Sequence, residues 1–73
     1  MATRSVDDCI ATLATKCSLV TVCHEMQRGK HAILGRINFG TTIAVQAVES
    51  TLERAERKFL EAYQAARDAR IIR

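Results

Sequence analysis

Apolar side chains recur at heptad spacing through the C-terminal half of the chain. Eight of them follow one another at steps of three and four residues: Val45, Val48, Leu52, Ala55, Phe59, Ala62, Ala66 and Ala69. Such a stripe lies along one face of a helix, and it needs a partner surface because a helix cannot bury its own stripe. We therefore predict one long helix over residues 41–70, with Thr41 or Thr42 as its cap.

A second possible helix start lies within this stripe. Ser50 and Glu53 have the spacing of a capping box, which would break the helix near residue 50. The apolar spacing continues from Val48 to Leu52, and we therefore interpret the segment as one helix.

The N-terminal part carries a similar frame. Ser5 can cap a helix, and the carboxylates of Asp7 and Asp8 favour the positive end of its dipole. A heptad frame then runs at steps of four and three from Val6 through His24 and Gln27, and Gly29 is a natural stop. These signals predict a first helix over residues 5–28.

One stretch of this first helix also has the composition of a strand. Val20, Thr21 and Val22 are β-branched, and such residues favour sheets. We interpret them as helical because the frame continues through them, and a strand is the alternative.

Two helices joined by a connection predict an all-α fold, an antiparallel helical hairpin in a single domain over residues 1–73. A hairpin leaves part of each apolar stripe uncovered, and pairing two copies into a four-helix bundle would cover it. A chain of 73 residues buries only about 60% of its unfolded surface, so oligomerisation is a natural supplement to its core. We therefore expect a homodimer.

The connection, residues 29–40, is apolar as well as glycine-rich. Its side chains Ile33, Leu34, Ile37 and Phe39 are too hydrophobic for a solvated linker. It either plugs one end of the bundle or forms a binding loop.

The positive charge concentrates in the same region. Of the net charge of +3, the excess lies in residues 28–40, which contain basic residues and no acid. A helix beginning near residue 41 would add backbone amides and a favourable dipole for an anion. The candidate anion-binding or nucleic-acid-binding residues are Arg28, Lys30, His31, Arg36, Thr41 and Thr42. The alternative is that these charges only solvate an apolar plug.

Several apolar residues lie off the main stripes and could form either core or an exposed interaction surface. Leu19, Val22 and Met26 would form a second stripe on the first helix, and Tyr63 beside Leu60 could anchor an interface. The candidate partner-binding residues are Leu19, Val22, Met26, Ile37, Phe39, Leu60 and Tyr63.

The residues with reactive side chains do not form a recognised catalytic pattern. The chain has three cysteines and no CxxC pair, and Cys23 next to His24 on a helix would point about 100° away from it. We therefore expect neither an enzyme nor a metal or cofactor site. With no apolar run long enough for a membrane span and an odd number of cysteines, we expect a cytoplasmic protein with free thiols.

These observations predict a small dimeric protein–protein interaction module of the adaptor, regulator or inhibitor type. Small modulators of host proteins encoded by phages and mobile elements offer an architectural analogy. The alternative is a nucleic-acid, phosphate or nucleotide binder that uses the basic 28–42 segment.

Overall fold

The computed structural model describes residues 5–39 and 42–70, and these ranges have a mixed α and β architecture. Its elements are, in chain order, α1 Val6–Lys16, β1 Thr21–Gln27, β2 Lys30–Arg36, β3 Val45–Glu49 and α2 Leu52–Asp68. The strands form an antiparallel sheet in the order β1-β2-β3. The predicted all-α hairpin with helices over 5–28 and 41–70 is therefore wrong, and so are the coiled coil and the four-helix bundle derived from it.

Helix α1 begins where the sequence predicts. The Oγ of Ser5 caps it by accepting a hydrogen bond from the backbone N–H of Asp8 at 3.1 Å. The helix ends at Lys16, well before residue 28, and Cys17 already has extended backbone angles. The β-branched residues that follow prefer a pleated sheet, so the strand alternative is correct from Thr21 onwards.

A two-residue turn joins β1 to β2. Arg28 and Gly29 both have positive φ, 53° and 77°. Positive φ at both central residues defines a type I′ turn, whose twist matches that of the flanking strands. Gly29 therefore reverses a hairpin, whereas the sequence analysis assigned it to the end of a helix.

Strand β2 is the centre of the sheet. Its Ala32, Ile33 and Leu34 are all buried. The prediction that residues 29–40 are a connecting loop is wrong, because a strand paired on both edges can bury a continuous apolar run.

Helix α2 starts at the second of the two candidate positions. The Oγ1 of Thr51 accepts a hydrogen bond from the backbone N–H of Arg54 at 3.2 Å, and Leu52 is the first helical residue. The predicted start at residue 41 or 42 is wrong because Val45–Glu49 forms β3. Buried residues alternate with an exposed one at the start of that strand, which is the period of a sheet.

The predicted apolar stripe is only partly correct in α2, because Ala69 is exposed beyond the helix and the buried Tyr63 lies off the predicted stripe; its partner is also not a second helical hairpin. The buried side chains of α2 are those of Ala55, Phe59, Tyr63 and Ala66. They join a single core with Cys9 and Leu13 of α1 and with Ile33 and Val45 of the sheet. Both helices therefore cover the same face of the sheet within one copy of the chain.

The helical layer lies against the backbone of the sheet at Gly35 in β2. A Cβ at this position would lie 2.6 Å from Leu19 Cδ1 and 2.8 Å from Phe59 Cζ. Both distances are far below van der Waals contact, so the absence of a side chain lets Leu19 and Phe59 reach the backbone of the central strand.

We predict that Gly35→Ala lowers the free energy of unfolding by about 1–3 kcal/mol, because the added methyl group overpacks the core. Urea denaturation measures the change. As a matched control, Gly29→Asn adds a larger side chain where nothing lies within 4 Å. Since Asn tolerates positive φ, we expect that control to change stability by less than about 0.5 kcal/mol. A Gly35→Ala protein as stable as the wild type would contradict the packing described above.

Candidate functional site

The topology gives the sheet two distinct ends. The turn end holds the Arg28–Gly29 turn and the last residue of β3, because Glu49 is the Cα partner of His31. The loop end holds the start of β1 and the end of β2, because Thr21 is the Cα partner of Arg36. Helix α1 runs towards the loop end, since its C-terminus leads into β1, and α2 runs the same way, since it starts just after β3.

At the loop end, four large apolar residues are exposed. Phe39 exposes 93% of its surface, and three β-branched residues from the same end of the sheet are also exposed: Val20 at 43%, Ile37 at 41% and Ile43 at 39%. We call Val20, Ile37, Phe39 and Ile43 the apolar end patch. Several exposed large apolar residues at one end of a small chain are characteristic of an interaction site, whereas single exposed apolar residues are ordinary.

Backbone hydrogen bonds hold this patch in the frame of the sheet. The N–H of Val20 donates to the carbonyl of Arg36 at 2.8 Å, and the N–H of Ala44 donates to the carbonyl of Gly35 at 2.9 Å. Each bond is one residue out of the register in which Thr21 pairs with Arg36 and Val45 with Gly35, so the regular ladders end at these pairs. Val20, Ile37 and Ile43 lie just beyond them, at the loop end of the sheet.

Tyr63 ties α2 to the loop end. Its hydroxyl accepts a hydrogen bond from the backbone N–H of Ser18 at 2.8 Å. The guanidinium carbon of Arg67 lies 5.9 Å from the centre of the Tyr63 ring, within the range of a cation–π contact. The last turn of α2 therefore stands beside the segment that leads into β1.

Basic residues lie at the ends of the elements here. They are Lys16 in the last turn of α1, Arg36 at the end of β2, Arg67 in the last turn of α2 and Arg70 after it. We call these four residues the basic rim. Arg36 is on the face of the sheet opposite the helices, with Cys23. Asp68 is the acidic residue among them, and its Oδ1 accepts a hydrogen bond from Nε2 of Gln64 at 3.2 Å. Basic residues therefore outnumber acidic ones among the element ends at the loop end.

Four of the predicted partner-binding residues belong to the core. Tyr63 is buried, and Leu19, Val22 and Leu60 are half-buried against the core cluster. The second helical stripe to which Leu19 and Val22 were assigned does not exist, because this part of the chain is an extended segment and a strand.

The other three predicted partner-binding residues are exposed, at different ends. Ile37 and Phe39 are in the apolar end patch, whereas Met26 lies near the turn end and exposes 56% of its surface. The sequence analysis missed Val20 and Ile43. The signal for Val20 was its β-branched neighbourhood, which predicts a strand if the helical frame is given less weight.

The predicted anion-binding residues are not gathered into one site. Arg28 and Lys30 are exposed at the turn end, and Arg36 lies at the opposite end of β2, about 20 Å from Lys30 at ~3.3 Å per residue. Arg36 donates a hydrogen bond from Nη1 to the Sγ of Cys23 at 3.6 Å. The cluster of positive charge inferred from the sequence is therefore divided.

The helix N-terminus that was predicted to contribute backbone amides to this anion site lies elsewhere in the fold. Thr42 is exposed and precedes β3 rather than a helix, and Thr41 lies outside the described residues. His31 is engaged with His24 at the turn end, with His24 Nε2 and His31 Nδ1 2.9 Å apart. These placements remove the geometry on which the anion-binding prediction depended.

The three cysteines are free thiols in different surroundings. Cys9 and Cys17 are buried in the core, and Cys23 is half-buried on the other face of the sheet. Burial raises the pKa of the Cys17 thiol above its ordinary value of 9.0, and the nearby Lys16 opposes this shift more weakly. A buried thiol with a raised pKa is a poor nucleophile at neutral pH.

Comparisons with known proteins found no relative of this chain. The chain matches no family model, no curated protein sequence and no solved structure. Within residues 5–39 and 42–70, no helix combines the length and the apolar character that a membrane span requires. The two ends of the sheet are therefore the features of this fold that indicate a function.

We predict that alkylation at pH 8 modifies Cys23 first, with Cys9 and Cys17 protected until the chain is denatured. Peptide mass mapping after a timed reaction with iodoacetamide measures the order. Equal modification of all three thiols in the folded protein would contradict the packing of α1 on the sheet.

The raised pKa of Cys17 also predicts a pH dependence of stability. The unfolded chain loses this proton at a lower pH than the folded chain, so the contribution is complete below about pH 9 and is lost as the pH rises through the folded pKa. Urea denaturation at pH 8 and pH 10 should show a smaller loss of stability in Cys17→Ala than in the wild type. An identical loss in both proteins would assign the dependence to other groups.

Proposed function

We propose that this chain is a protein-binding module that recognises a partner segment with apolar and acidic side chains. The observation that carries the proposal is the exposure of Phe39, at 93%, at the same end of the sheet as three exposed β-branched residues. Burying a phenylalanine side chain contributes about 1.5–3 kcal/mol, and aromatic anchors with surrounding apolar contacts often dominate the energy of an interface.

Charge complementarity supports an acidic partner. The basic rim lies at the same end of the fold as the patch, at the C-terminal ends of α1, β2 and α2. Opposite charges across an interface raise the association rate and fix the orientation of the partner, while the apolar centre provides most of the affinity. A segment that carries Asp or Glu next to large apolar residues fits both features.

The composition of the patch favours protein over nucleic acid. Single-stranded nucleic acids bind on successive aromatic rings, and Phe39 is the exposed aromatic residue of the patch. Val20, Ile37 and Ile43 have no flat ring on which a base could stack. They provide the aliphatic surface that apolar protein side chains contact.

The proposal keeps the adaptor or regulator role and the cytoplasmic location expected from the sequence, with free thiols as its support. It does not keep the argument for a homodimer. That argument required uncovered helical stripes, and in the structure the stripe of α2 packs inside one copy. A second copy of the chain is therefore an alternative occupant of the apolar end patch. Light scattering on the wild type and on Phe39→Ser tests for it.

We predict that peptides selected by the full-length chain from a random peptide library combine large apolar residues with Asp or Glu. Phe39→Ser should weaken their binding at least about tenfold, the equivalent of 1.4 kcal/mol. Arg67→Glu with Arg70→Glu should weaken it too, and more at low salt than at high salt. Isothermal titration calorimetry measures each affinity, and circular dichroism checks that the variants are folded.

Matched controls are available at the turn end. Met26→Ser removes an exposed apolar side chain there, and Lys30→Glu reverses an exposed charge; neither should alter peptide binding. The proposal is wrong if Phe39→Ser binds the selected peptides as tightly as the wild type. It is also wrong if oligonucleotides bind in a Phe39-dependent manner, or if light scattering finds a dimer that Phe39→Ser dissociates.

A further inference from the structure

The turn end carries a second arrangement, independent of the apolar end patch. His24 Nε2 and His31 Nδ1 lie 2.9 Å apart, with ring centroids at 5.2 Å and ring planes inclined by 44°. One nitrogen of the pair must carry the proton of this hydrogen bond, and the other must offer its lone pair. Two imidazole nitrogens of neighbouring strands thus converge at one point of the sheet.

Met26 is next to this pair on the same face. It is the Cα partner of His31 across the strands, and it follows His24 by two residues on β1, so the side chains of all three are on the helix-facing side. Directly opposite residues of an antiparallel pair have Cβ atoms about 4.5–5.5 Å apart, which is within reach of a flexible methionine side chain. More than half of the Met26 surface is exposed, so no core contact holds its thioether away.

The nearest carboxylate on this row is engaged elsewhere. Glu49 is the Cα partner of His31 on the β3 side, and its Oε1 lies 3.3 Å from Nη2 of Arg54. Within the described ranges, no group of three or more His, Cys, Asp or Glu side chains is placed to hold a metal ion. The donors that the sheet brings together are therefore two imidazole nitrogens and one thioether sulfur.

We propose that His24, His31 and Met26 form a binding site for a soft monovalent metal ion, Cu(I). Thioether sulfur selects Cu(I) over harder divalent ions, and imidazole also suits copper. Two imidazole nitrogens bound to one ion at about 2.0 Å are roughly 3–3.5 Å apart, depending on the angle between them. The observed 2.9 Å separation needs to widen by only about half an ångström to reach that range.

Binding requires both facing nitrogens to offer lone pairs. The ring that donates the hydrogen bond frees the lone pair of that nitrogen by moving its proton to the other ring nitrogen. Both imidazoles therefore stay neutral, and no oxidation or reduction occurs. The metal ion then replaces the proton between the two rings.

The test is an anaerobic titration of the reduced full-length chain with Cu(I) in competition with a chromophoric Cu(I) chelator. We expect one ion bound per chain, with affinity at least about tenfold lower in His24→Ala, His31→Ala and Met26→Leu. Met26→Leu is the decisive variant, because it removes the sulfur at almost constant volume from an exposed position and leaves the histidine pair in place. Circular dichroism verifies the fold of each variant.

Cys23 provides the control, since it is half-buried on the opposite face of the sheet. Cys23→Ser should bind Cu(I) as the wild type does. As an independent readout, titration with Ag(I) should shift the imidazole ¹⁵N resonances of His24 and His31 and the methyl resonance of Met26. The proposal is overturned if Met26→Leu binds Cu(I) unchanged, if binding disappears in Cys23→Ser, or if Ag(I) leaves these resonances in place.

Discussion

The contact at Gly35 is the constraint on which the layered structure depends. Without a side chain at this position, Leu19 and Phe59 reach the backbone of the central strand. Phe59 anchors the middle of α2, and Leu19 anchors the segment that leads from α1 into β1. The absence of a side chain at Gly35 therefore determines how closely Phe59 and Leu19 approach the sheet. Protein interiors are close-packed, so an added methyl group would have no free space there.

The apolar end patch lies where the regular elements end. Helix α1 ends at Lys16 and the buried residues of α2 end at Ala66. The ladders of the sheet end at the pairs of Thr21 with Arg36 and of Val45 with Gly35. All four residues of the patch lie outside these elements. Lys16 and Arg67 lie in the last turns of the helices, where the helix dipole favours cations.

Some local features of the structure were predictable from the sequence, whereas the predicted overall fold was wrong. The Ser5 cap and the burial of Ala55, Phe59 and Ala66 along α2 follow from composition and spacing. The same signals left open whether Ile37 and Phe39 plug the fold or form a binding loop. The strands were missed because residues 45, 48 and 52 fit a heptad while residues 45 and 47 fit a sheet, and a five-residue strand is too short for periodicity to decide. The contact between His24 and His31 depends on the strand register, and a helical interpretation of that segment cannot predict it.

The parallel course of the two helices makes the two termini of the chain unequal. The 11-residue α1 starts about 16 Å before the end that leads into β1, at ~1.5 Å per residue, whereas the 17-residue α2 carries the chain about 25 Å towards the loop end. A domain or label fused after α2 would therefore be tethered at the same end of the fold as the exposed Phe39, where its high effective concentration lets it compete with a partner. The same fusion placed before α1 would be attached at the helix end that points away from the loop end.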